Sequence, residues 1–212
     1  VTMLKLNHIP NNGSSMLAVF CDLAAKNQTK FRPWLAEDMF PARLNIGFKN
    51  CASFNLIQGN GSEFVTLYEI PSLGHLYNVP YQELRRKRTP RDADYHKKFQ
   101  NPERYTLTWV GPELSRKKSG FAPYVIIDRF DLKDNLIEEF NSWFVSTYIP
   151  AIQNSPNTVG LRRYISVEGP HKNFVIQELT DTEILSDNND SIQKTAFGIN
   201  ISGIYQRIIQ SP

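Results

Sequence analysis

The pattern of apolar and polar positions predicts the same succession of short elements in both halves of this chain. In the first half, strand patterns cover residues 16–23, 52–58, 63–70 and 104–110. Helical patterns cover residues 33–44 and 73–88, the second interrupted by Pro80, and Gln58-Gly59-Asn60-Gly61 is typical of a tight turn between strands. The predicted order of the first half is therefore β-α-β-β-α-β.

The second half follows the same order with a weaker second helix. Strand patterns cover residues 124–132, 159–167, 173–179 and 200–209, and a helix is predicted over residues 135–152 with Asp134 as its N-terminal cap. Residues 181–197 are only weakly helical because Asp187-Asn188-Asn189-Asp190 interrupts them. Since the first half keeps both helices, we expect a functional site there rather than in the second half.

The two halves also share residues at a constant offset. A shift of 109 positions gives six identities in 21 aligned positions, where chance gives about one. The identities pair Asp22 with Asp131, Leu23 with Leu132, Phe31 with Phe140, Trp34 with Trp143, Pro41 with Pro150 and Ala42 with Ala151. The same shift places Glu69 on Glu178. The sequence therefore predicts a tandem duplication, with residues 1–111 as the first repeat and N-terminal arm, 112–121 as the linker and 122–212 as the second repeat.

Each predicted repeat has a ferredoxin-like plan, with both helices on one face of a four-stranded antiparallel sheet. The opposite face is apolar and has to be covered. Two copies in one chain cover each other. The predicted fold class is α+β, with tandem ferredoxin-like repeats packed sheet to sheet.

Three groups of residues resemble a known group of proteins. Phe31-x-x-Trp34-x₆-Pro41 recurs as Phe140-x-x-Trp143-x₆-Pro150, Leu67-Tyr68-Glu69-Ile70 forms the third strand, and Arg88-Thr89-Pro90-Arg91-Asp92 precedes Arg104-Tyr105. Over nearly its whole length the chain resembles the dimeric α+β barrel superfamily and, within it, the EthD-like proteins. The resemblance implies an intramolecular barrel with a pocket between the helices and the sheet of each repeat.

The same resemblance implies a range of activities. The superfamily includes cofactor-free monooxygenases, polyketide cyclases, lactone isomerases and haem-handling enzymes, so the fold does not fix the function. Catalytic or haem-binding members often carry a histidine in the first helix, two residues before the proline. This chain has Met39 and Tyr148 at those positions.

Composition excludes several other classes. A net charge of +3 over 212 residues is too small to predict nucleic-acid binding, and no apolar run approaches the roughly 18 residues of a membrane span. Cys21 and Cys51 lie inside strand patterns and no secretory signal opens the sequence, so we expect reduced thiols and a cytoplasmic protein. The four histidines lack metal-ligand spacing, so no metal site is predicted.

Candidate catalytic residues lie near the end of the third strand of the first repeat. Glu69 interrupts an apolar strand, so it is either a base with a raised pKa or the partner of an arginine. His75 opens the second helix, where it either orients a phenol or enol, ligates haem iron, or faces solvent. Tyr68 is the third candidate.

Candidate binding residues surround the same predicted pocket. In the first repeat they are Trp34, Met39, Phe40, Arg104 and Tyr105; their second-repeat counterparts are Trp143, Tyr148, Arg129 and Glu178. Both tryptophans either fill the seam between helix and sheet or stack on a substrate. Arg129 is expected to pair with Asp128 or Glu178, and the run 85–88 with Arg91 is expected to form a structural salt-bridge cluster with Glu83, Asp92 and Asp94.

Two functional hypotheses follow from these residues. The first is a cofactor-independent cyclase, isomerase or monooxygenase that folds a hydrophobic aromatic or polyketide-like compound in an apolar pocket. The second is a non-catalytic ligand-binding or structural protein, with a haem-binding variant that depends on His75. The expected partner is a hydrophobic small molecule, with no nucleic acid and no membrane. Relatives often dimerise, so a homodimer is a further expectation.

Overall fold

The computed structural model describes residues 4–115, 120–182, 196–199 and 201–212. Most of the weakly helical segment predicted at residues 181–197, and residues 116–119 of the predicted linker, lie outside the described residues. None of the helices in the described ranges is long and apolar enough to cross a membrane.

The first repeat contains the four predicted strands, preceded by a short strand β1, Lys5–Asn7. The strands are β2 Ser15–Asp22, β3 Asn50–Gly59, β4 Phe64–Ile70 and β5 Gln100–Ser115. Strand β5 continues through residues 112–115, which the sequence predicts as linker, because those residues pair with strands on both sides. The last strand of the first repeat thus extends into the predicted linker.

The helices of the first repeat are shorter and more numerous than predicted. They are α1 Ala25–Gln28, α2 Phe31–Trp34, α3 Phe40–Leu44, α4 Gly74–Tyr77, α5 Val79–Arg86 and α6 Pro90–His96. The predicted helix 73–88 divides at Asn78, whose side chain accepts a hydrogen bond from the Tyr81 amide and caps α5. Thr89 caps α6 in the same way, through the Asp92 amide.

The second repeat has strands at the predicted positions. They are β6 Tyr124–Phe130, β7 Thr158–Glu168, β8 Asn173–Leu179 and β9 Ile201–Gln210. Its first helix begins with a 3-10 turn, Asp134–Leu136, followed by α7 Ile137–Trp143 and α8 Ile149–Gln153. The prediction that Asp134 caps this helix is wrong, because Asp134 is the first residue inside the 3-10 turn. The N-cap position is taken by Lys133, which makes no side-chain capping hydrogen bond.

A π-helical segment of five residues lies at the same place in both repeats. It covers Leu35–Met39 in the first and Phe144–Tyr148 in the second, which the 109-residue shift superimposes. Pro41 and Pro150 follow two residues later; each lacks an amide hydrogen and its ring crowds the preceding turn, so the helix widens before it. The shared irregularity supports the duplication inferred from sequence.

The strands form one sheet that closes on itself. Its order is β1-β5-β2-β4-β3-β9-β6-β8-β7, and β5 also pairs with β7, so eight strands complete a barrel with β1 beside β5. The two seams between the repeats, β3 with β9 and β5 with β7, are antiparallel. Each joins the second strand of one repeat to the fourth strand of the other. The predicted barrel of two ferredoxin-like units is confirmed.

Alternate residues of each strand divide the core into layers. Met16, Ala18 and Phe20 of β2 point into the barrel with side chains of both repeats, whereas Leu17, Val19 and Cys21 face the helices. The helices of the second repeat cover a third cluster, which includes Phe130, Phe140 and Val175. The two sheet faces that the duplication leaves apolar therefore cover each other inside the barrel.

A buried ion cluster closes one end of the barrel interior. The guanidinium of Arg162 lies 2.5 Å from Glu69 and 2.6 Å from Glu178, the two glutamates that the duplication equates. Asn50 also donates to Glu69, at 2.5 Å. Burial raises the pKa of the Glu69 carboxyl, and Arg162 opposes that rise. The cluster holds a carboxylate from each repeat on one cation.

Arg162→Met should therefore destabilise the barrel strongly. It leaves two carboxylates buried without their cation, which costs about 3–5 kcal/mol in the free energy of unfolding, measured by urea denaturation. Without Arg162 the folded-state pKa of Glu69 stays above its value in the unfolded chain. The stability of the variant relative to the wild type should therefore increase as the pH falls. This relative stability should decrease as the pH rises through the raised pKa.

Arg163→Met is the matched control. Arg163 is the adjacent buried arginine, but it contacts Asn141 and Asn173 and lies over the Phe140 ring rather than beside a carboxylate. Its loss should cost less than that of Arg162. Equal losses of unfolding free energy in the two variants, or the same pH dependence in both, would contradict a stabilising role of the Arg162 cluster.

Candidate functional site

A cleft of about 380 Å³ lies between the helices and the outer sheet face of the first repeat. Its floor is formed by outward-facing residues of β2, β4 and β5, and its walls by the π-helical segment, α3, α5 and α6. The lining residues are Leu17, Val19, Cys21, Trp34, Met39, Arg43, Thr66, Tyr68, Tyr81, Arg85, Arg88, His96, Phe99, Pro102, Glu103 and Arg104. The cleft is apolar at its floor and rich in arginine at its rim.

Arg43 is the most unusual residue of this cleft. Its side chain is buried, with 6% of the residue exposed, yet it forms no ion pair with a carboxylate among the described residues and acts on Asp92 only through its charge. Its guanidinium lies 5.3 Å from the centre of the Tyr68 ring and donates one long hydrogen bond, 3.4 Å, to the Met39 carbonyl, while Nε has no partner. Buried arginines are normally paired, so this cation favours an anionic or strongly accepting ligand group.

Trp34 lies in an aromatic stack at the other side of the cleft. Its ring stacks on Tyr95 at 4.5 Å and on Phe31 at 5.9 Å, which fixes its plane. The residue is 1% exposed and its indole N–H has no hydrogen-bond partner. A buried donor without an acceptor costs about 1–3 kcal/mol, which a ligand oxygen would recover.

His96 lies in α6 and lines the cleft on that side. Its Nδ1 lies 2.8 Å from the backbone carbonyl of Asp92 and 3.2 Å from one oxygen of the Asp92 carboxylate. Burial alone would raise the pKa of Asp92, but the hydrogen bond to His96 and the charges of Arg88 and Arg43 lower it overall. Asp92 therefore remains ionised beside the ring.

Tyr68 presents its ring to the cleft from β4. Burial raises the pKa of its phenol well above the usual range, although the charge of Arg43 opposes the rise. The residue stays neutral at physiological pH. It can donate a hydrogen bond to a ligand but it cannot serve as a base.

Four of the sequence-predicted site residues line this cleft, namely Trp34, Met39, Tyr68 and Arg104. Arg104 forms an ion pair of 2.8 Å with Glu168 of the second repeat. Arg88 does pair with Asp92, at 3.5 Å, and Arg91 pairs instead with Glu37 and Asp38.

The other predicted residues of the first repeat lie elsewhere. Glu69 and Tyr105 point into the barrel, because neighbouring strand residues face opposite sides of the sheet. Phe40 is buried in the core behind the cleft, and His75 lies in α4 near Gly47, outside the lining. Glu69, His75 and Tyr68 are therefore not brought together as one catalytic group.

The second-repeat counterparts have structural surroundings. Trp143 stacks on Tyr148 at 4.9 Å and packs against Phe197 at 5.2 Å, so rings occupy the region that corresponds to the cleft. Glu178 belongs to the Arg162 cluster. The expected pairing of Arg129 with Asp128 or Glu178 is wrong: its guanidinium lies inside the barrel beside Glu103 and 3.9 Å from the Phe20 ring centre.

Arg43, Arg88 and His96 are the site residues that sequence reasoning missed. Arg43 follows Met39 by four residues in one helical stretch, a spacing that places both on the same side. Arg88 belongs to the predicted salt-bridge cluster, and His96 follows that cluster in the sequence. No group of three histidine, cysteine or carboxylate side chains suited to a metal is found among the described residues.

Comparisons with known proteins agree with the architecture. No family model matches the sequence, and no curated protein does. Among solved structures, an anthrone oxidase-like protein aligns with a TM-score of 0.67 over 98% of this chain and 96% of its own, at 10% identity. The fold is that of a dimeric α+β barrel.

Two candidate monooxygenases share this fold. One from Fusobacterium nucleatum aligns with a TM-score of 0.62 at 11% identity, over 94% of both chains. Another, from Lactobacillus acidophilus NCFM, aligns with a TM-score of 0.58 at 11% identity, over 93% of this chain and 96% of its own. At such identities the likeness establishes the fold alone.

Met39→Tyr should close the cleft. It introduces the residue that stands at the corresponding position of the second repeat, where Tyr148 occupies the space with its ring. Naphthoate is a suitable probe because it has an apolar aromatic body and one carboxylate. We expect calorimetric titration to show at least about tenfold weaker naphthoate binding in the variant. Overpacking should lower the free energy of unfolding by about 1–3 kcal/mol. Tyr148→Phe, at the equivalent position, should leave binding unchanged. Undiminished binding in Met39→Tyr would place the ligand elsewhere.

Proposed function

We propose that this chain is an EthD-like small-molecule protein that binds an aromatic or polyketide-like compound in the cleft of the first repeat. The observation that carries the proposal is Arg43, a buried cation without a carboxylate partner among the described residues, set beside an apolar floor. A ligand that has both an apolar body and an acidic oxygen matches both features.

The cleft suits a cofactor-independent enzyme that stabilises an oxyanion. Arg43 and the indole N–H of Trp34 are fixed donors in a water-poor site, where they are worth more than in water. Neutral Tyr68 adds a further donor. An enolate or phenolate held by such groups is the common intermediate of cyclisation, isomerisation and cofactor-free oxidation, which are the three reaction types proposed.

The two alternative functions are a ligand carrier and a haem-binding protein. A non-catalytic ligand carrier would use the same cleft without changing the ligand. A haem-binding protein was expected to use His75, which lies outside the cleft, whereas His96 lines it. Absorbance spectroscopy of the purified protein decides this point, since a Soret band would replace the cofactor-free proposal. Native mass spectrometry of the same sample identifies any co-purified organic compound.

Arg43→Met tests the proposed ligand chemistry. Loss of a charge-assisted hydrogen bond costs about 1.5–3 kcal/mol, so affinity for naphthoate should fall roughly 10-fold to 100-fold. Affinity for the uncharged naphthalenemethanol should change little. Because the arginine is unpaired in the free protein, the free energy of unfolding should stay constant or rise.

Arg32→Met is the charge-matched control. Arg32 lies on the exposed side of the same helical stretch and does not line the cleft. Its loss should leave both affinities unchanged. If Arg43→Met and Arg32→Met weaken naphthoate binding equally, the effect is one of overall charge and the proposed site is wrong.

A further inference from the structure

The imidazole of His96 has one defined tautomer. The backbone carbonyl of Asp92 can only accept a hydrogen bond, and it lies 2.8 Å from Nδ1. The proton of the neutral ring is therefore on Nδ1. Nε2 carries the lone pair.

The surroundings of His96 hold the ring in place on the cleft wall. Its edge contacts the Trp34 ring at 5.3 Å between centroids, and Phe99 lies at the same distance. Every polar contact of the ring among the described residues is made by Nδ1, with Asp92. His96 lines the cleft, and no polar group of the described residues contacts its Nε2.

Three other titratable groups of the cleft cannot fill this role. Tyr68 is neutral because burial raises its pKa, and burial also raises the pKa of the Cys21 thiol to about 12. Glu103 is paired with Arg129. The remaining charged groups of the rim are arginines.

We propose that His96 is the general base of the first-repeat cleft and that its substrate is an aromatic carbon acid or phenol. Nε2 takes the proton from a C–H or O–H group, the electron pair of that bond stays on the substrate as an enolate or phenolate, and His96 becomes an imidazolium beside ionised Asp92. Arg43 binds the new oxyanion. This inference rests on the proposed function, which places the ligand in the same cleft.

In this arrangement His96 takes the role of the helix-one histidine that this chain lacks before Pro41. The equivalent helix position is Met39, which contributes only apolar surface to the cleft. His96 approaches the same cleft from α6, held by the carbonyl one turn earlier in that helix. The base is thus supplied by a different element.

The test uses nitrobenzisoxazole, an apolar aromatic carbon acid. A base removes its ring C–H proton, the electron pair forms the nitrile, and the N–O bond breaks to release a coloured nitrophenolate. We expect the wild-type protein to accelerate this reaction. His96→Asn keeps an amide donor near the Nδ1 position but has no base, so its kcat should fall roughly 10²-fold to 10⁴-fold with KM little changed.

His75→Asn is the matched control because His75 lies outside the cleft. Its kcat should equal that of the wild type. Calorimetric titration of each variant with naphthoate separates the two proposals. If naphthoate does not bind the wild type, the proposed function itself fails. If it binds but the reaction is absent, or is unaffected by His96→Asn, the cleft is a binding site and His96 is not its base.

Discussion

The uncovered sheet face of each repeat is the constraint on which the rest of this molecule depends. A β-α-β-β-α-β unit places its helices on one side of its sheet, so the other side must find apolar cover. Here the two copies supply it to each other through the seams β3 with β9 and β5 with β7. Closure removes most free strand edges and buries one continuous core, with Arg162 joining the equivalent glutamates Glu69 and Glu178 at one end.

Closure also decides where chemistry can occur. Because side chains fill the barrel interior, the cleft of the first repeat lies on the outer side of the sheet, beneath the helices. Met39 leaves a cleft in the first repeat, whereas Tyr148 stacks on Trp143 at the corresponding place in the second. Under the proposed function, one copy supports the barrel while the other provides the site.

Much of the fold was predictable from the sequence because it depends on short-range periodicity and on the repeat. The apolar patterns located the strands, and the 109-residue shift superimposes the widened helical turns before Pro41 and Pro150, which the sequence did not predict. The site was predicted less well for a physical reason. Tyr68 and Glu69 are neighbours in sequence, but strand geometry sends one to the cleft and the other to the barrel. Arg43 and His96 reach the same cleft from different helices, α3 and α6, an arrangement that no local pattern encodes.

The most direct test of the account is an N–H correlation NMR spectrum of the tryptophan indoles during titration with naphthoate. The chain has three tryptophans, and the indole of Trp109 already donates to Glu113. We expect the Trp34 indole signal, assigned by its loss in Trp34→Phe, to move downfield as its N–H gains an acceptor, with the Trp109 and Trp143 signals nearly constant. A stationary Trp34 signal, or a shift confined to Trp143, would contradict a ligand site in the first-repeat cleft.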